Sequence, residues 1–369
     1  MGKREIIRGA LLGMAVGDAM GYSVDSRNLE EICRDYGPNG ILGYDLVNGF
    51  ADVSSYTQVA AFTINGLLLG ITRGQMQGRM APLVRYVALA LREWSRTQHF
   101  SYPERNHCWL ANVPQLKRRA CLDNRMLDAL SRETLGTMEE PKNKFIHPGA
   151  LTEGIAVALL GLQVSLSQEE LDHLAAECVA LTHGDPEAFL SAAALTHGMS
   201  LLLKYPGITG KELVRDTIDS IQHGLGRGYA QATHLWELLT MALSLSDSYK
   251  ITQMEAMEQL RCRTAGEALA GALYACLTSH RDFDAAMITA VNHSGRSGAV
   301  GAVVGAILGA HLGEGALPEF YLECLEPAET LRTLADDLRQ GCPMGKRAML
   351  FDDTWDHKYV QGLPPEEDE

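Results

Sequence analysis

Between Ala299 and Leu312 the chain reads AVGAVVGAILGAHL, and Gly301, Gly305, Gly309 and Gly313 recur at every fourth position. On a helix that spacing lines the glycines along one face, where a second helix can approach almost to backbone contact. A membrane span needs about 20 apolar residues in a row. This run is shorter and includes His311, so it predicts a helix buried in a water-soluble core.

Apolar residues recur at helical spacing through most of the chain, and no long alternating strand pattern appears. Helices are expected over Ile6–Met20, Thr57–Ile71 with Ser54 or Ser55 as the cap, and Pro82–Trp94. They resume over Gly149–Val164, Gln168–Leu181, Pro186–Leu203, Gly210–Gly224 and Gln231–Leu243. The last set covers Ala265–Leu277, Asp282–Val291, Ala299–Leu312, Glu319–Leu325 and Pro327–Leu338. A turn-rich loop follows Gly21, and Gln98–Phe145 is irregular enough to suggest a substrate-side loop. No fixed repeat points to a solenoid. The expected architecture is all-α, one domain over 1–345 followed by an extension over 346–369 that ends in a frayed acidic tail.

Charge narrows the partners. With 46 acidic residues against 32 basic ones, the formal net charge is −14. Nucleic acid needs local positive potential and is not expected as a partner. Lys117, Arg118 and Arg119 read as a solvated surface. The eight cysteines are scattered, with no Cys-x-x-Cys pair and no zinc spacing, and read as reduced core thiols. No secretory leader is evident, so a cytoplasmic location is expected and no membrane partner.

Several segments, in order, resemble the ADP-ribosylglycohydrolase family. GALLGMAVGDAMGYSVD (Gly9–Asp25) resembles its opening helix, and SSYTQVAAFTINGLLLG (Ser54–Gly70) its helix start S/T-D-D-T-Q. PGALTEG (Pro148–Gly154), LTHGDPEAFLSAAAL (Leu181–Leu195) and AVNHSGRSGAVGAVVGAILGAHLG (Ala290–Gly313) follow in the family's order. The likeness extends from about residue 6 to 340. It implies a compact orthogonal bundle of many helices, with a cleft between helix starts and loops. It also implies hydrolysis of the glycosidic bond joining ADP-ribose to a protein side chain, with two Mg²⁺ or Mn²⁺ ions in the cleft.

At the metal-binding positions the chain departs from that pattern. Ser55 and Tyr56 stand where the family has two aspartates, and Arg296 and Gly298 replace two more. The local charge changes from four negatives to one positive. A guanidinium ~4 Å from a dication is repelled by roughly 8 kcal/mol even at an effective dielectric of about 20. No metal is therefore expected. Arg296 either fills the vacated volume, binds a phosphate or carboxylate, or pairs with a neighbouring acid.

The likeness assigns Asp18 and Asp25 as the candidate acids, Asp25 being one methylene shorter than the usual glutamate. The expected cleft also includes Ser54, Ser55, Tyr56, Thr57, Gly149, Glu153, His183, His293, Ser294, Gly295, Arg296, Ser297 and Gly298. Glu153, in place of the family's arginine, is a candidate partner for Arg296. Three functions are open. One is a pseudo-hydrolase or altered hydrolase that binds an ADP-ribose-like nucleotide or a protein partner, such as an ADP-ribosylated protein. The second is a metal-independent hydrolase using Asp18, Asp25 or Glu153. The third is a structural protein of the kind found among lens crystallins. No motif fixes an oligomeric state.

Overall fold

In a computed structural model, which describes residues 2–99, 106–120, 123–205, 207–346 and 350–365, the glycine face of α14 (Ser297–Leu312) meets α1 (Lys3–Tyr22). The partner face is also glycine. Cβ atoms built on Gly9, Gly13 and Gly17 would lie 2.1, 2.2 and 1.9 Å from the carbonyl oxygens of Gly309, Gly305 and Gly301. The two helices therefore run antiparallel at backbone contact, and nearly all of α14 is buried. This pairing sets the end of α1 and the loop after it against the start of α14.

The rest of the bundle assembles around that pair. A second long helix, α3 (Ser55–Gln77), starts at the Ser54 cap, whose hydroxyl accepts from the Tyr56 amide at 3.1 Å. It ends at Gly78 in a left-handed conformation. Helices α4 (Val84–Gln98), α6 (Ala150–Leu160), α7 (Gln168–Ala180) and α8 (Pro186–Lys204) follow the expected segments. So do α9 (Gly210–His223), α10 (Gln231–Ser246), α12 (Ala265–Thr278), α13 (Phe283–Val291), α15 (Glu319–Cys324) and α16 (Ala328–Gln340). Among the described residues there is no strand, only two isolated bridges, Val47–Phe50 and Ala51–Leu325. The all-α class is as expected.

Four short helices were not anticipated: α2 (Leu29–Tyr36), α5 (Asn124–Ser131), α11 (Gln253–Leu260) and α17 (Asp353–Tyr359). The loop expected after Gly21 and the irregular stretch before Phe145 each contain one. Their starts are set by polar caps. Asn28 with Glu31, and Thr252 with Glu255, form reciprocal capping boxes.

None of the described helices is long and apolar enough to cross a membrane. The seven described cysteines are unpaired, and Cys108, Cys178 and Cys262 are buried. Cys121 and the tail residues 366–369 lie outside the described residues. In the basic cluster, Arg118 forms ion pairs with Asp52 and Glu326.

Candidate ligand-binding site

Asp18 lies fully buried near the end of α1 and takes four hydrogen bonds from the start of α3. The Ser54 hydroxyl and amide donate at 2.6 and 3.0 Å, and the Thr57 hydroxyl and amide at 2.7 and 3.0 Å. Burial pushes its carboxyl up to about 6, against the pull of those donors. Asp18 and Thr57 thus join α1 to α3, and neither lines the cavity described next.

That cavity, about 150 Å³, opens between the starts of α3, α6 and α14 and the segment before Gly149. Asp25 sits on its wall. Its carboxylate accepts from the Gly298 amide in the first turn of α14 at 3.0 Å and faces the Arg296 guanidinium and the Tyr56 hydroxyl, each at 3.5 Å. Burial raises its pKa, with Arg296 pulling it back. Arg296 also bonds the Ser26 hydroxyl, and its side chain remains about one-third exposed (33%).

Tyr56 lines the cavity with its ring between Gly298 and Gly149. A Cβ on Gly298 would lie 2.9 Å from one edge of its ring, and a Cβ on Gly149 3.6 Å from the other. Burial holds the phenol far above its ordinary pKa, so it stays neutral. A run of rings continues from it: Tyr56 on His147 (5.8 Å), His147 on Phe145 (5.3 Å) and Phe145 on His183 (4.7 Å). Desolvation, with Arg296 next, lowers His147 to about 3, and burial lowers His183 to about 3. Both imidazoles are therefore neutral at pH 7. Since the His147 Nδ1 accepts from the Gly149 amide at 3.2 Å, its proton resides on Nε2. The His183 Nδ1 lies 2.8 Å from the Thr182 hydroxyl, and its buried Nε2 has no hydrogen-bond partner among the described residues.

Seven of the expected residues meet at this cavity: Asp25, Ser54, Ser55, Tyr56, Gly149, His183 and Arg296. The others do not line it, although the Gly298 amide holds Asp25 on its wall. His293 spends both ring nitrogens on the turn before α14, one on the Ala290 carbonyl at 2.9 Å and one on the Gly295 amide at 3.0 Å. Ser294 anchors α2 by accepting from the Leu29 amide at 2.8 Å. The Gly295 carbonyl accepts from the Ser26 amide at 3.2 Å, and Ser297 is fully buried. The expected Glu153–Arg296 pair is corrected: Arg296 faces Asp25, whereas Glu153 is fully buried and accepts from Thr182 at 3.4 Å. Burial raises the Glu153 carboxyl well above its ordinary value, which disfavours the charged form a guanidinium would pair with.

Tyr22, Asp123, Phe145 and His147 also line the cavity and went unanticipated. Asp123 is held down to about 2, chiefly by Arg125, whose guanidinium lies 4.2 Å from the centre of the Phe145 ring. Among the described residues, no group of three or more His, Cys, Asp or Glu side chains is placed to hold a metal ion.

Residues 1–347 match the family model for ADP-ribosylglycohydrolases. The chain belongs to the ADP-ribosylglycohydrolase family. Among solved structures it is similar to one described as an ADP-ribosylglycohydrolase-related protein complex, with a TM-score of 0.62 and 23% identity. That likeness covers 92% of this chain and 98% of the other, and establishes a shared fold. No curated protein matches the chain. In this chain the end of α1, the α3 start and the α14 start converge on one cavity, and Arg296 stands at the α14 start.

Proposed function

We propose that this ADP-ribosylglycohydrolase-family protein binds an ADP-ribose-like ligand in the cavity without the two divalent cations of the family's chemistry. The observation that carries this is the Arg296 guanidinium facing Asp25 at the mouth of α14. A pair of hard cations needs several anionic oxygens close together. Here Asp18 is saturated by α3, Asp25 is engaged by Arg296 and the Gly298 amide, and the Tyr56 ring stands between Gly298 and Gly149. The donor set does not fit two Mg²⁺ ions.

The same groups suit an anionic sugar-bearing ligand. Arg296 supplies fixed positive charge on a side chain one-third exposed, and His147 offers a neutral N–H. Small-molecule pockets typically enclose roughly 300–1,000 Å³. A cavity of about 150 Å³ therefore accommodates the ribose and an adjoining phosphate, with the remaining nucleotide lying across the open side.

Calorimetric titration with ADP-ribose tests this. Binding is expected to be equal in Mg²⁺ and in EDTA, to weaken about tenfold or more in Arg296→Ala, and to occur without Mg²⁺-dependent release of ADP-ribose from modified arginine. Binding or turnover that requires Mg²⁺ or Mn²⁺ would sink it. A second reading, metal-independent hydrolysis, draws on Asp25, a partly buried acid of raised pKa on the cavity wall. Its signature is ADP-ribose release in EDTA that disappears in Asp25→Asn.

A further inference from the structure

At the opposite end of α14 from this site lies a separate cavity of about 520 Å³. Its walls come from the end of α8, the start of α9, the end of α12 and the second half of α14. Leu202, Leu213, Leu277, Ile307 and Leu308 provide the apolar lining, and all but the half-buried Leu277 are buried. The volume falls within the roughly 300–1,000 Å³ of pockets that enclose whole small molecules.

The polar lining is one-sided in charge. Lys211 and Arg281 stand around the cavity with the imidazoles of His280 and His311, the latter's pKa lowered by burial, and among the described residues no aspartate or glutamate lines it. In a chain of formal net charge −14, that absence sets the location apart. Lys211 is paired with Asp247 across its outer side. Arg281 is exposed and, among the described residues, forms no ion pair. Basic groups at the rim of an apolar hollow attract an anionic head and leave its tail to the leucine and isoleucine side chains. Among the described residues the lining contains no tyrosine, tryptophan or phenylalanine on which a nucleobase would stack, so a second nucleotide is a poor match.

The geometry points to a binding site for a free single-chain anionic amphiphile, a fatty carboxylate, held by Arg281 at the rim and by the α8–α9–α12–α14 walls within. The site is independent of the ADP-ribose cavity. Arg281 sets its preference for charge and Leu277 guards its interior.

Titration of the full-length protein with monomeric decanoate, and with decanol as the uncharged comparison, decides the matter. One saturable site is expected for decanoate, unchanged in Arg296→Ala. Arg281→Glu, at an exposed position, should weaken decanoate by about tenfold or more and leave decanol nearly unaffected. Leu277→Trp should remove binding of both ligands while thermal unfolding stays cooperative. If Leu277→Trp does not fold, Ile208→Trp at the half-buried edge of the same cavity replaces it, with the same loss expected. The proposal is overturned by any of three results in folded protein: no saturable binding, association with phospholipid vesicles alone, or decanoate affinity that neither substitution changes.

Discussion

His147 connects the chemistry of the cavity to the stability of the fold. In the folded chain it stays neutral down to about pH 3, whereas an unfolded imidazole takes up its proton near 6.5. The unfolded state therefore binds more protons between those values, and this residue's contribution to stability is lost as pH falls from about 6.5 toward 3. Replacing it by phenylalanine keeps a ring between Tyr56 and Phe145 but removes the titration. His147→Phe should cost about 1 kcal/mol at pH 7.5 through the lost Gly149 hydrogen bond. Relative to the parent it should then recover up to about 1.4 kcal/mol per pH unit below 6.5. Urea unfolding of both proteins at pH 7.5 and 5.5 measures this, and parallel curves would show that His147 is protonated in the fold. At this scale the sequence was informative where motifs exist. Ser54, Tyr56 and Arg296 stand at helix starts whose pattern is local, and they do meet. Asp123 belongs to the stretch without periodicity and His147 to the short link after it, and tertiary packing alone brings them to the cavity.

Among the elements, the α1–α14 pair organises the molecule, and its glycines offer the sharpest test. A Cβ at Gly305 would sit 1.9 Å from the Gly13 carbonyl oxygen and 2.5 Å from its carbon, with only backbone there to give way. Gly305→Ala should therefore destabilise the protein by more than about 4 kcal/mol, seen as loss of soluble folded protein. Ala306→Gly, one position along and off that contact, should cost only about 1 kcal/mol in the same denaturation assay. The α14 glycine face was readable, and so was its need for a close partner. The identity of the partner was not, although Gly9, Gly13, Gly17 and Gly21 repeat the same spacing. Periodicity reports which face is buried, and only the antiparallel register reports against what. A similar limit explains α2, α5, α11 and α17. Two turns are too short for a hydrophobic period to emerge, so their evidence lay in caps such as Asn28 and Thr252.

Across the whole molecule, the last segment returns to brace the helices that present the cavity. In α17, the Trp355 indole N–H donates to the Thr72 hydroxyl of α3 at 2.9 Å. Lys358 contacts both oxygens of Asp337 on α16 at 2.6 Å, and the Tyr359 hydroxyl donates to the same carboxylate at 2.8 Å. Lys358 and Asp337 are both nearly inaccessible, so either charge left alone would be stranded. Lys358→Met should lower stability by roughly 3–5 kcal/mol, because Asp337 then remains buried with only the tyrosine hydroxyl. Adding Asp337→Leu should restore most of that loss, since an apolar pair of similar volume needs no desolvation of ions. Denaturant midpoints of the two single variants and the double variant give the coupling. If the double variant were as unstable as the sum of the singles, the pair would be acting through separate contacts. Because α3 is capped by Ser54 at the cavity and gripped by α17 at Thr72, the same variants separate support from recognition. ADP-ribose affinity should remain at the parent value in the double variant, whose cavity residues are untouched, even where its unfolding midpoint has moved.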